Sequence, residues 1–330
     1  MKEKIQRRIE LLVENRTLLH KAFLLENGLV TVVAGAAFME KDKVADTELV
    51  KECRALLRQK KGAFSEMRGN NELIVSTKMA VSGSPERYLE DLSEVYDKLQ
   101  KGNFFGSSFR VLAAATICDA GKANEADALV EKTNEIMKGM KAAHPFLTSD
   151  EDTGFAVLLA MTDKTTLQIL TELEETYKAL KSRLAFHDNA VFSLAQVLTT
   201  YGGSSQEKSK KALDIFEAFK EAGNKYGKEY ELPSLGILVN LGDNIGDIVA
   251  DVIEVSKSFK GKAGFGALDM SMYTKLMLGS MIVAGVYGED TSAANTSIAN
   301  SALAMLIAQE AAMMAVILAA SVSCTTSSSH

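Results

Sequence analysis

Apolar residues recur along this chain at the spacing of a helix face, and the faces alternate between two kinds. Leu89, Leu92, Val95, Tyr96 and Leu99 fall on one side of a helix, as do Leu170, Leu173, Tyr177 and Leu180, with charged residues on the other side. Between such stretches lie runs with almost no polar face: "VLAAATIC", "FAVLLAM", "FSLAQVL" and "LGILVNLG". A helix of that kind is buried on several sides, and its alanines and glycines permit close approach of its neighbours. Breaks fall at "SGSP", "DAGK", "YGGSS" and "LGDN", where Gly stops one helix and Ser or Asp caps the next. The pattern predicts helix, turn, helix, many times over.

The interval between turns is regular. Phe23, Phe64, Phe105, Phe146, Phe186, Tyr226 and Phe265 mark successive bends, with steps of 41, 41, 41, 40, 40 and 39 residues. A second series just upstream, Leu57, Leu99, Met140, Leu180, Phe219 and Phe259, keeps nearly the same period. Tyr230 competes with Tyr226 for its place in the aromatic series. An all-α array of about seven αα-hairpins of ~40 residues follows. Its units lie near 23–63, 64–104, 105–145, 146–185, 186–225, 226–264 and 265–295, in one domain over 1–295. One hairpin cannot bury its apolar face alone, so stacking supplies the core. An open or gently curved α-solenoid is expected, and a closed α/α toroid is the alternative.

Composition supports helices. Only Pro85, Pro145 and Pro233 interrupt 330 residues, against about sixteen at an average usage of roughly 5%. The net charge of −6 offers no electrostatic footprint for nucleic acid. Cys53, Cys118 and Cys324 are odd in number and widely spaced, which fits a reduced, cytoplasmic chain with buried thiols. Near the C-terminus, Ala311–Ser323 is free of charge but spans only about 20 Å as a helix, short of the roughly 30 Å hydrocarbon core. Residues 296–322 therefore read as a capping or dimerisation helix, with 323–330 a disordered tail, and a membrane anchor is the lesser alternative.

At "AFSEMRG", "HPFLTSDEDTGFAVLLA" and "FHDNAVFSLAQVL" the chain resembles a bacterial family filed as domain of unknown function 4003. The likeness runs from roughly residue 10 to 290. It implies a helical bacterial cytosolic protein and no reaction.

In a stacked array the bends gather on one edge. That edge collects Arg68, Arg110, His144, Asp150, Asp152, His187, Asp188 and Asn189 as candidate ligand-binding residues. Arg68 and Arg110, each just after a bend, would combine with helix N-termini as an anion site, or would bond the neighbouring turn. The acids suit helix capping better than metal binding. Asp243, Asp247 and Asp251 share one helical face, read as a cap and a solvated flank. No Gly-rich phosphate loop, G-x-S-x-G or H-E-x-x-H occurs. The expectation is a binding or scaffold module for a protein, peptide or small anionic ligand, with no catalytic residue, metal or cofactor assigned. A homodimer through the C-terminal helix is a further expectation. An enzyme with an acidic and His-lined cavity inside a toroid is the alternative.

Overall fold

The computed structural model describes residues 2–185, 187–266 and 269–291. Phe186, the segment 296–322 and the tail 323–330 lie outside the described residues, as does the end of the unit placed at 265–295. Among the described residues the chain is all-helical, with no strand.

Amphipathic helices alternate with apolar ones. The amphipathic set is α1 (Lys2–Ala22), α3 (Thr47–Lys60), α5 (Pro85–Gln100), α7 (Ala126–Ala143), α9 (Thr166–Lys181), α11 (Ser205–Glu221) and α12 (Ile245–Ser258). The apolar set is α2 (Gly28–Glu40), α4 (Glu72–Ser82), α6 (Ser108–Asp119), α8 (Thr153–Ala160), α10 (Asp188–Thr199), a 3₁₀ segment Leu232–Leu238, and α13 (Met272–Thr291). Starts are set by side-chain caps: Asp46 accepts from the Leu49 N–H at 3.0 Å, Ser204 from Glu207 at 3.2 Å and Asn244 from Asp247 at 3.3 Å. Asn244, and not the neighbouring Asp243, therefore caps α12. Gly83, at φ 77°, turns the chain out of α4 in the left-handed conformation that a side chain would strain.

One expected helix is missing. The first half of "LGILVNLG" lies in the 3₁₀ segment instead and the rest in turns; Pro233 stands near the start of that segment and cannot donate to a helical ladder. Gly236 also lies flat on α10, where a Cβ would meet Val197 Cγ1 at 2.8 Å. Nearby, the buried Tyr226 hydroxyl bonds Ser234 Oγ at 2.7 Å and Ser280 Oγ at 2.9 Å, pinning this segment to α13.

The helices flanking each bend pack on one another: α1 on α2, α3 on α4, α5 on α6, α7 on α8, α9 on α10, α11 on the 3₁₀ segment and α12 on α13. From one pair to the next, α2 touches α4, α6 touches α8, α10 touches the 3₁₀ segment, and that segment touches α13. Leu57, Leu99, Met140, Leu180, Phe219 and Phe259 are all buried where their amphipathic helices end. Each contributes about 1.5–3 kcal/mol of apolar burial. On the side away from the bends, lysines cap carbonyls of the next pair: Lys132 reaches Thr162 O at 2.7 Å and Lys164 reaches Thr199 O at 2.6 Å.

Among the described residues, the first helix meets the last pair. Helix α1 contacts both α12 and α13. The buried Arg16 donates to Ala263 O at 3.3 Å and lies against Gly264, and Lys2 pairs with Glu254 at 3.7 Å.

Candidate functional site

The bends carry a continuous set of polar contacts from pair to pair. At the second bend Glu72, buried at the start of α4, takes hydrogen bonds from three guanidinium groups. Arg58 Nη2 lies 2.6 Å from Oε1, Arg68 Nε lies 3.1 Å from Oε2, and Arg54 Nε also bonds Oε1. Arg54 reaches back to Glu26 of the first bend at 2.7 Å. Burial opposes ionisation of Glu72, but the hydrogen bonds from Arg58, Arg54 and Arg68 outweigh it and hold the carboxyl at about 2. Ser108 then bonds Glu66 at 3.3 Å, linking the second bend to the third.

The third and fourth bends are joined by Arg110 and Asp150, two of the residues singled out in the sequence. Arg110 Nη2 donates to Asp150 Oδ1 at 2.6 Å, and its Nη1 donates to Gln100 Oε1 at 2.9 Å and Phe105 O at 3.0 Å. Both Arg68 and Arg110 are thus engaged by carboxylates of the protein itself.

Asp152 sits deeper. Its Oδ2 accepts the Ser149 N–H at 2.8 Å in a capping box, and its Oδ1 accepts from Gln196 of α10 at 2.7 Å. Ser149, and not Asp150 or Asp152, is the cap. Burial pushes the Asp152 carboxyl up to about 6, against the lowering pull of Ser149 and Gln196. Gln196 Oε1 is buried without a partner.

His144 and His187 do not meet. His144 Nε2 lies 2.7 Å from Glu174 Oε2, and its ring packs on Tyr177 and Phe192 at 5.1 and 5.0 Å. Burial would raise Glu174, but Lys178 and His144 hold it below the usual carboxylate range. His187 Nδ1 lies 2.8 Å from Glu229 at the sixth bend. Asp188 pairs with Lys181, and Asn189 is exposed on the first turn of α10. No group of three or more His, Cys, Asp or Glu among the described residues is placed to hold a metal. Burial raises the thiols of Cys53 and Cys118, to about 11 and about 12, so both stay protonated.

The feature that sequence reasoning missed is the fate of the aromatics. Phe23, Tyr226 and Phe265 are buried, whereas Phe64, Phe105 and Phe146 are 102%, 77% and 95% exposed. Phe104 stands edge-on to Phe105 and is exposed as well, and Leu24 and Leu25 project beside Phe23. One signal separates the two groups in part. Where the last-turn residue of the preceding helix is Phe, the bend aromatic folds back on it: Phe219 with Tyr226 at 4.9 Å, and Phe259 stacked with Phe265 at 4.7 Å. Where it is Leu57, Leu99 or Met140, the ring points to water.

Open grooves of about 460, 490 and 640 Å³ run between α1 and α12, between α5 and α7, and between α11 and α12. No helix among the described residues is long and apolar enough to cross a membrane.

A family model described as a protein of unknown function (DUF4003) matches residues 17–312. The chain belongs to that family. The match passes beyond residue 290 into the apolar C-terminal segment. No curated protein and no solved structure matches the chain.

Proposed function

We propose that this member of the family closes its helical hairpins into a ring and serves in the bacterial cytoplasm as a docking module through the face formed by its bends. The reading rests on one observation above the others. Leu24, Leu25, Phe64, Phe104, Phe105 and Phe146 stand exposed at four consecutive bends of a body whose bends are tied together by Arg54, Ser108 and Arg110. Apolar side chains gathered on one face of a folded chain mark a surface that another body covers. Closure is supported by α1 lying on α12 and α13 with Arg16 against the 263–264 backbone. A ring favours the toroid over the open solenoid, because in an open array the first and last pairs would have no common contact.

Ligation by a small anion at Arg68 or Arg110 is a weaker reading, since Arg68 is already paired with Glu72 and Arg110 with Asp150. A macromolecular surface does not need those groups. Photo-crosslinking in living cells tests the docking face. A benzophenone side chain at position 64, 105 or 146 should yield adducts, and one at Lys41 or Asp163, on the opposite side, should not. Equal labelling from both faces would remove the reading.

A further inference from the structure

The exposed bends differ from a protein-binding groove in shape. The apolar side chains stand at the tips of four successive loops, and none of them lines the open grooves between the amphipathic helices. A protein partner would need a pocket for each tip, since interface anchors act by filling pockets. A fluid bilayer needs none, because its interface yields around each side chain. Charge points the same way. Glu26 and Glu72 are engaged by arginines, Asp150 by Arg110, and Asp152 by Ser149 and Gln196. Lys21, Lys60, Lys61 and Lys101, beside the tips, have no ion pair among the described residues, against Glu66, Asp97 and Glu151 as the acids there without a basic partner.

We infer that the face carrying Leu24, Leu25, Phe64, Phe104, Phe105 and Phe146 docks on an anionic bilayer surface, with the rings entering the headgroup boundary and the lysines facing lipid phosphates. This inference rests on the docking-face reading and names its partner. It concerns peripheral contact through loop tips, which is distinct from a membrane-spanning role for the C-terminal segment. Apolar tips flanked by lysines supply the two signals that reversible membrane attachment requires, buried apolar surface and attraction to anionic lipid.

Sedimentation of the full chain with vesicles tests it. The protein should pellet with vesicles of phosphatidylcholine and phosphatidylglycerol in equal amounts and stay in solution with phosphatidylcholine alone. Each Phe→Ser change at 64, 105 or 146 should weaken binding on the order of tenfold. K60E/K61E/K101E should lose the response to phosphatidylglycerol, and raising NaCl from about 0.1 M to about 1 M should release the wild type, as the Debye length falls from about 10 to about 3 Å. Circular dichroism melts of each variant should match the wild type. A folded wild type that ignores mixed vesicles overturns the inference. So does a F64S/F105S/F146S variant that binds as well as the wild type, because the contact would then lie elsewhere, for example in residues 292–330. If vesicles fail while crosslinks to a protein persist at positions 64, 105 and 146, the bilayer falls and the docking face stands. If both fail, both fall.

Discussion

Replacing Asp152 by Asn isolates the cost of burying one charge at the bends. The Asp152 carboxyl is 5% exposed and is raised from 3.8 to about 6, burial outweighing the Ser149 N–H and the Gln196 amide. A folded-state value above the unfolded one means that its contribution to stability is fully present below pH 3.8 and is lost as pH rises through 6. Two units of difference at ~1.36 kcal/mol each give about 3 kcal/mol of destabilisation at pH 8, falling to about 1 kcal/mol at pH 4.5. Asn keeps the shape of the protonated acid and stays neutral. With its oxygen kept on the Ser149 N–H, its Nδ2 donates to Gln196 Oε1 once the Gln196 amide turns over, because Nε2 is the end that faces Asp152 in the native arrangement. Loss of a negative charge at the helix start subtracts up to about 1 kcal/mol. D152N should therefore be more stable than the wild type by about 2–3 kcal/mol at pH 8, with the gain shrinking toward pH 4. Urea unfolding followed by helical circular dichroism reads this as a higher midpoint at constant slope. A loss at pH 8, or an equal gain at every pH, would refute the account.

Three other substitutions probe the framework. Arg16→Ala removes the contact between α1 and the 263–264 backbone; it should cost on the order of 1–3 kcal/mol and speed proteolysis near Gly264, and unchanged cleavage would count against ring closure. Glu72→Gln leaves Arg54, Arg58 and Arg68 crowded around a neutral group, which should cost about 3–5 kcal/mol in a thermal or urea melt. Because Glu72 is held at about 2 from 4.5, its contribution is present above pH 4.5 and fades as pH falls toward 2, so the gap between E72Q and wild type should narrow on acidification. Gly279→Val would bring a Cβ to 2.7 Å from Val252 O, and backbone cannot move aside as a side chain can. A loss of about 1–3 kcal/mol is expected from overpacking, read as a lowered melting temperature.

The alternation of amphipathic and apolar stretches was legible because it is a statement about burial, and burial is what periodicity reports. Leu57, Leu99, Met140, Leu180, Phe219 and Phe259 could be aligned in the sequence and are buried in the structure, each at or just past the last turn of its helix. "LGILVNLG" was misread because apolar periodicity carries no information on Pro233 or on how closely Gly236 must approach α10. The contact of α1 with α12 and α13 was unreadable, since it depends on the accumulated angle between pairs, which no local pattern encodes. The same limit applies to Arg110 with Asp150 and to His187 with Glu229, whose partners stand 40 and 42 residues away. The individual residues could be nominated from the sequence, but their pairing required the stacking.

The aromatic series raises a different issue, because position in the repeat and contribution to folding come apart there. Phe64, Phe105 and Phe146 follow Leu57, Leu99 and Met140 by six or seven residues, the spacing that also separates Phe219 from Tyr226 and Phe259 from Phe265. The latter pairs stack and are buried, while the three earlier rings face water. A fully hydrated ring adds nothing to folding stability and raises the tendency to associate. F64S/F105S/F146S should therefore melt within about 0.5 kcal/mol per site of the wild type and be more soluble. L57A, L99A and M140A, six or seven residues earlier, should each cost about 2–5 kcal/mol. If instead the three Phe→Ser changes destabilise the chain by core-like amounts, the rings belong to the packing and cannot be the surface by which this protein docks.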